Sequence, residues 1–119
     1  LIAYCFSSVE GYSKIGSYTG NANANGTFVY TGFSPAFVMV KRYNTAASWS
    51  VHDNKRAGYN ADNDYLHIDV NQSESDGSAG TLDLLSNGFK LRMTAGTHND
   101  GNFIYMAFAE RPFQYANAR

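Results

Sequence analysis

Short runs of β-branched and aromatic residues alternate along the chain with clusters of small polar residues. The runs recur at roughly ten-residue intervals, a spacing typical of an all-β sandwich. Asn-Gly and Asp-Gly steps separate several of them, and such pairs form tight turns because they tolerate positive φ. No stretch has the sustained period and caps of an α-helix. The pattern predicts an all-β, antiparallel, jelly-roll-like β-sandwich of about nine short strands. The predicted strands are Ile2–Ser7, Tyr12–Tyr18, Phe28–Thr31, Phe37–Tyr43, Ser48–His52, Tyr65–Val70, Thr81–Leu85, Phe89–Met93 and Phe103–Ala109.

Three of these runs indicate how the strands meet the core. Phe37–Tyr43 is apolar on both faces and then becomes charged, which predicts a central strand that emerges from the core at its end. In Tyr65–Val70 the aliphatic residues share one face while His67 and Asp69 share the other, which predicts a half-buried strand. Phe89–Met93 alternates in the same way.

Composition narrows the class of protein. The 119 residues are the size of one domain, which we assign to residues 1–119. The net charge of −1 leaves no basic footprint for nucleic acid. Aromatic residues make up 15% of the chain, too many for a disordered segment. The longest apolar runs are a few residues, so we expect no membrane insertion.

The first residues suggest a piece of a longer polypeptide. Leu1 already lies in an apolar stretch that has neither the charged start nor the cleavage site of a signal peptide. Ile2–Ser7 is similar in pattern to Ile104–Ala109. Residues 1–8 are therefore either the last strand of a preceding unit or a strand of the same core. Cys5, the only cysteine, excludes an intrachain disulfide and is interpreted as a small buried hydrophobe.

Five blocks in fixed order resemble a domain of bacteriophage tail-fibre and other virion proteins, common in marine and cyanobacterial phages. They are a Tyr-Thr-Gly-Asn opening, a Thr-Gly-x-x-Pro core strand, a Trp-x-x-x-Asp-x-x-Arg segment, an Asn-Gly-Phe-x-Leu hairpin and a closing aromatic strand. In this sequence they lie at Tyr18–Asn21, Thr31–Lys41, Trp49–Arg56, Leu85–Leu91 and Ile104–Glu110.

This resemblance implies a concanavalin-like or SPRY-like sandwich on a virion appendage, forming the C-terminal part of a longer fibre protein. It implies a homo-oligomer, a trimer by analogy with other tail fibres, in contact with other virion proteins and acting outside the cell. We expect a non-enzymatic structural module that adheres to a host-surface glycan. The alternative is a purely architectural or decorating domain without a ligand, and a small glycan hydrolase is a further alternative.

The densest polar cluster supplies the candidate ligand site. Trp49 or Tyr59 would stack on a pyranose ring, while Asp53, Arg56 and Asn60 would hydrogen-bond its hydroxyl groups. An aromatic platform with a few placed polar groups is typical of small-ligand sites. We therefore predict these five residues as ligand-binding.

The same residues also have a structural interpretation. Asp53 and Arg56 would form an ion pair, or Asp53 would accept backbone hydrogen bonds in an Asx-turn after the strand. A catalytic unit is disfavoured because His52 and Asp53 are adjacent, and adjacent residues of a strand point to opposite faces. No catalytic residue is predicted.

Metal and cofactor sites have little support in the sequence. Asp62-Asn63-Asp64 with Asp69 offers oxygen ligands for calcium, but it lacks the EF-hand spacing, so a solvated turn is favoured. The three histidines, at positions 52, 67 and 98, lack ligand spacing for zinc or iron. We predict no metal and no cofactor. The polar loops at residues 21–26 and 72–80 are either plain connections or variable tips that contact a host surface.

Overall fold

The computed structural model describes residues 1–56, 64–76, 81–94 and 96–111, which contain nine β-strands and no helix. The strands are β1 (Ser13–Asn21), β2 (Phe28–Tyr30), β3 (Pro35–Arg42), β4 (Ser50–Asp53), β5 (Asp64–His67), β6 (Ser75–Asp76), β7 (Leu82–Leu85), β8 (Gly88–Leu91) and β9 (Asp100–Ala109). The predicted all-β class is confirmed. Nothing in the described ranges forms a helix long and apolar enough to cross a membrane.

The strands form two antiparallel sheets that make a β-sandwich. The larger sheet has the order β1-β9-β3-β4-β5-β6, and the smaller has the order β2-β8-β7. The long strand β9 lies between β1 and β3 and pairs with each over most of its length. The two inner faces together bury one hydrophobic core, as expected when sheets pack face to face.

Period-two alternation decides which residues enter this core. In β9, Phe103 and Tyr105 face inward, and the register with β3 places Val40 opposite Tyr105 on the same face. From the smaller sheet, Phe89 contacts Tyr105 and Tyr18 edge-on, with ring centroids 5.4 and 6.0 Å apart. Burial of one such side chain stabilises the fold by about 1.5–3 kcal/mol. The alternation predicted for Phe89–Met93 is confirmed, because Phe89 and Leu91 are fully buried.

The central position predicted for Phe37–Tyr43 is also confirmed, since β3 lies between β9 and β4. Burial on both faces is not complete. Val38 and Val40 are buried between the sheets, whereas Phe37 and Met39 on the opposite face are only half-buried. We call that opposite side of the larger sheet the outer face.

A buried amide side chain joins distant parts of the chain. Asn99 is fully buried, and its Nδ2 lies within hydrogen-bond distance of Asn21 Oδ1 (3.0 Å), the Asn23 carbonyl (2.7 Å) and the Met93 carbonyl (2.9 Å). Its Oδ1 accepts a hydrogen bond from the Asn21 N–H at 3.2 Å. The Ala22 N–H donates to the Asn99 carbonyl at 2.6 Å. This network fixes the loop after β1 against the turn that precedes β9.

Two glycines allow the chain to approach this amide closely. A methyl group added at Gly20 would come within 2.2 Å of the Asn99 carbonyl carbon, and one at Gly26 within 2.1 Å of the Leu91 carbonyl oxygen. Both atoms belong to the backbone and could not move aside alone. Glycine is therefore required at both positions by close backbone contact.

The predicted strand Ile2–Ser7 is wrong. Residues 1–8 form no strand, and Ile2, Tyr4 and Phe6 are exposed. The backbone of this segment does not join the ladder of β1, and the Phe6 ring instead contacts Phe108 edge-on at 6.5 Å. Cys5 is an exposed free thiol, so its interpretation as a buried hydrophobe is also wrong. That residues 1–8 end a preceding unit stays a prediction.

The strand predicted at Tyr65–Val70 is shorter than expected, and its polar residues rather than its aliphatic ones face the other sheet. The strand β5 ends at His67, and the aliphatic Ile68 and Val70 are exposed. Register pairs His67 with the buried Ser50, so His67 lies on the inner face of the sheet. The residues between the two sheets at the β4–β5 end are polar. The alternation of aliphatic residues therefore predicts the wrong inward face for β5.

Replacing Phe89 with alanine tests the position of the core. Phe89→Ala should lower the free energy of unfolding by about 3–5 kcal/mol, because it leaves a cavity between the sheets. Phe28→Ala in β2 is the matched control. Phe28 is 44% exposed, so this truncation should cost about 1 kcal/mol or less. Urea unfolding measures both, and equal losses would contradict the assignment of Phe89 to the core.

Candidate functional site

Trp49 lies outside the hydrophobic core, beside an apolar groove on the outer face of the larger sheet. The side chain is half-buried just before β4. The groove has a volume of about 460 Å³. Its lining residues come from the N-terminal segment, β3, β9 and the segment after β5: Tyr4, Phe6, Met39, Trp49, Ile68, Asp69 and Met106. We call this the outer-face groove.

Two backbone hydrogen bonds hold Trp49 at this position. The Trp49 N–H donates to Asp69 Oδ1 at 3.2 Å, and the Ile68 N–H donates to the Trp49 carbonyl at 3.2 Å. Met39 and Met106 lie directly opposite each other in the β3–β9 register and form the floor. The groove thus combines aromatic rings, flexible thioethers and one exposed carboxylate, that of Asp69.

The predicted site residues Asp53 and Arg56 lie together in the turn after β4. The Lys55 N–H donates to Asp53 Oδ1 at 2.9 Å, which is the hydrogen bond of an Asx-turn. Arg56 Nε lies 3.0 Å from Asp53 Oδ2, but the N–H is not aligned with that oxygen, so the contact is an ion pair rather than a hydrogen bond. Arg56 also pairs with Glu74. The structural interpretation of Asp53 and Arg56 is therefore confirmed.

Of the five predicted binding residues, the structure describes Trp49, Asp53 and Arg56. Trp49 and Asp53 share the outer side of the sheet, but four residues of extended chain separate them by about 13 Å. Tyr59 and Asn60 lie outside the described residues, as do Asp62 and Asn63 of the calcium hypothesis. Asp69, from that same hypothesis, instead lies beside Trp49.

His52 and Asp53 point to opposite sides of the sheet, as the sequence predicts. Register places His52 opposite the buried Val38 and Asp53 opposite Phe37 on the outer face. His52 is fully buried. Direct proton transfer between the His52 and Asp53 side chains is thus excluded by the geometry of the strand.

The fold brings together three histidines that are far apart in sequence. The rings of His52 and His98 meet at 5.0 Å, and Tyr65 contacts both, at 5.4 and 4.9 Å. His67 packs edge-on against Tyr65 at 5.3 Å, and its Nδ1 lies 3.3 Å from Ser50 Oγ. In the part of the chain that the structure describes, no group of three or more His, Cys, Asp or Glu residues could hold a metal ion. We call His52, Tyr65, His67 and His98 the histidine cluster.

Burial governs the ionisation of this cluster. Desolvation lowers the pKa of His52 well below 6.5, and the nearby His98, Arg56 and His67 lower it further. Desolvation, and then His67, lowers the pKa of His98 to about 3. Both rings are consequently neutral at pH 7. Burial disfavours the charged form of an imidazole because water no longer solvates it.

Sequence reasoning missed the groove and the cluster for the same reason. Each depends on strand register, which the alternation of one strand does not give. The period of two does place Ser50 and His52 on one side of β4, and Tyr65 and His67 on one side of β5. Only the pairing of Ser50 with His67 brings these two sides together.

Comparison with known proteins gives one match. A family model described as a domain of unknown function, DUF7483, matches residues 1–112. No curated protein matches the chain, and no solved structure matches it.

Substitutions of Asp53 separate its two contacts. Asp53→Asn keeps an oxygen for the Lys55 N–H but removes the charge opposite Arg56, and should cost about 0.5 kcal/mol of stability. Asp53→Ala removes both contacts and should cost about 1.5 kcal/mol. Thermal and urea unfolding measure the difference. An equal loss for the two variants would show that the turn hydrogen bond contributes nothing.

Proposed function

The chain belongs to the DUF7483 family, and we propose that it is a non-enzymatic structural module of a bacteriophage tail fibre or similar virion appendage. In this proposal the domain acts outside the cell, in a homo-oligomer, and adheres to a host-surface glycan. The virion assignment rests on the five sequence blocks that resemble such proteins. The position of the ligand rests on the outer-face groove.

The observation that carries the adhesion proposal is the position of the only tryptophan. Trp49 is left out of the core and borders a groove that also holds the Tyr4 and Phe6 rings and the Asp69 carboxylate. The apolar face of a pyranose ring can stack on an indole, and a carboxylate oxygen accepts hydrogen bonds from sugar hydroxyls. The groove supplies both groups, and its volume of about 460 Å³ lies in the range of small-ligand sites.

The proposed binding set therefore differs from the set predicted from sequence. Trp49 remains in it, and Asp69 takes the polar role first given to Asp53. Asp53 and Arg56 hold the turn after β4 through contacts with Lys55 and Glu74. Asp69 is chosen because it lines the groove beside Trp49 and its Oδ1 accepts a hydrogen bond from the Trp49 N–H. The opposite orientations of His52 and Asp53 support a module without catalytic activity.

A glycan screen tests the adhesion proposal. The 119-residue chain is applied to an array of bacterial surface polysaccharides, and each hit is titrated by calorimetry. Trp49→Ala should weaken binding to the hit about fivefold, because a stacked aromatic contact contributes about 1 kcal/mol. Asp69→Asn should weaken it less, since one hydrogen-bond acceptor is altered.

Two variants control for indirect effects in this screen. Tyr30→Ala removes an aromatic ring that is 65% exposed on the smaller sheet, away from the groove, and should leave binding unchanged. Asp53→Asn should also retain binding. Loss of binding in Asp53→Asn but not in Trp49→Ala would move the site to the turn after β4. Failure of the folded chain to bind any polysaccharide would overturn the adhesion proposal.

A purely architectural role is the second candidate, and the apolar character of the outer face favours it. A second cavity of about 170 Å³ lies beside Trp49, lined by Ile15, Gly16, Met39, Trp49, Ile104, Tyr105 and Met106. Apolar residues at the centre of a patch are typical of interfaces between copies of one chain. In this candidate a second copy covers the outer face.

The oligomeric state in solution tests this candidate. Light scattering should give a mass of two or more chains for the wild-type protein. Ile104→Lys places a charge at a residue that is 39% exposed on this face, and should return the mass to that of one chain. Tyr30→Lys on the smaller sheet is the control and should keep the oligomer. A wild-type protein that stays monomeric at high concentration would contradict this candidate and also the homo-oligomer of the first proposal.

A further inference from the structure

The histidine cluster contains polar atoms that the described structure does not satisfy. His52 and His98 are both fully buried, and both ring nitrogens of His52 and the Nε2 of His98 have no hydrogen-bond partner. Buried polar groups are paired in the great majority of cases, so three unpaired nitrogens in one place need a physical explanation. His98 Nδ1 is different, since it lies 2.9 Å from Thr97 Oγ1.

Three basic residues around His52, namely His98, Arg56 and His67, disfavour a proton on its ring. From the same side of the sheet it faces His67 and Tyr65 on β5, and His98 on the turn before β9. Arg56, from the turn after β4, adds a fixed positive charge. The carboxylates paired with that guanidinium are those of Asp53, on the outer side of the sheet, and Glu74.

The cluster also lies where three parts of the fold meet. His52 belongs to β4, Tyr65 and His67 to β5, and His98 to the turn that precedes β9. The same turn accepts a hydrogen bond from the Tyr18 hydroxyl at the His98 carbonyl, at 2.8 Å. The next residue is Asn99, which fixes the loop after β1. Separation of the rings would therefore loosen the contact between the turn at residues 96–99 and strands β4 and β5.

We propose that His52 and His98 form an acid-sensitive latch that holds the β4–β5 end of the larger sheet against the turn at residues 96–99. At neutral pH the two uncharged rings pack against Tyr65. On acidification each ring gains a proton only by leaving this site, and two imidazolium ions cannot return beside Arg56 and His67. The closed module therefore loses stability at this end as the surroundings become mildly acidic. This inference is independent of the proposed glycan.

The direction of the pH dependence follows from proton linkage. The pKa values of both rings are lower in the folded chain than the value of about 6.5 in an unfolded chain. Below pH 6.5 the unfolded or opened state therefore binds more protons than the closed state. The latch contributes its full stabilisation above about pH 6.5, and this stabilisation is lost as the pH falls toward the pKa values of the two rings in the folded chain.

Urea unfolding at a series of pH values tests the latch, with Trp49 fluorescence as the signal. Between pH 7.5 and pH 5.5 the unfolding constant should rise about tenfold for each latch histidine, and so about a hundredfold for the wild-type chain. His52→Phe keeps an aromatic ring and removes one titrating group, so its constant should rise only about tenfold. His67→Gln, at a half-buried position, is the control and should keep most of the wild-type rise.

Histidine ring signals in NMR spectra give a second readout that needs no variant. The ring protons of His52 and His98 should keep their neutral positions as the pH falls to 5.5. Amide protection, corrected for the intrinsic effect of pH on exchange, should fall first in β4, β5 and residues 96–99. A His52 ring that titrates near pH 6.5 in the folded chain would overturn the latch. So would stability that does not change between pH 7.5 and 5.5, or an equal rise for wild type and His52→Phe.

Discussion

The closure of the sandwich depends on the buried Asn99 side chain and on the turn that carries it. The amide group satisfies partners in the loop after β1 and in the segment after β8, and the adjacent His98 packs against β4 and β5. A hydrophobic residue at position 99 would remove the hydrogen bonds to the Asn21 N–H and to the Asn23 and Met93 carbonyls, each of which contributes about 0.5–1.5 kcal/mol. The two sheets are thus aligned by a polar network at one end and by aromatic packing around Phe89 in the middle.

This network explains the structural role of several residues that belong to the sequence blocks. In the block Tyr18–Asn21, the tyrosine hydroxyl bonds to the His98 carbonyl, the glycine admits the Asn99 backbone, and the asparagine bonds to the Asn99 amide. The Asp-x-x-Arg spacing likewise forms a turn with an internal ion pair. These motif residues therefore serve folding. The groove combines Trp49, Met39 and Met106, which lie within the blocks, with residues outside them such as Tyr4 and Ile68.

How much the sequence predicts depends on whether a feature is local. Strand positions, the β7–β8 hairpin and the inward face of Phe89 follow from alternation and turn residues, which act over a few positions. The segment Ile2–Ser7 has strand composition but no described partner strand, and composition alone cannot supply one. The gathering of His52 and His98 needs the pairing of strands and the path of a turn, which are properties of the whole fold.

The pairing of the first and last strands has a consequence for how the chain folds. The ladder between β1 and β9 joins opposite ends of the described chain, and the Asn21–Asn99 contact joins residues 78 positions apart. Contacts of such long sequence separation form late, because most of the entropy of loop closure must be lost before they add stability. During synthesis on the ribosome, β1 emerges before β9 and lacks its partner strand until β9 has been made. Its exposed strand edges are open to pairing with other nascent chains throughout that interval.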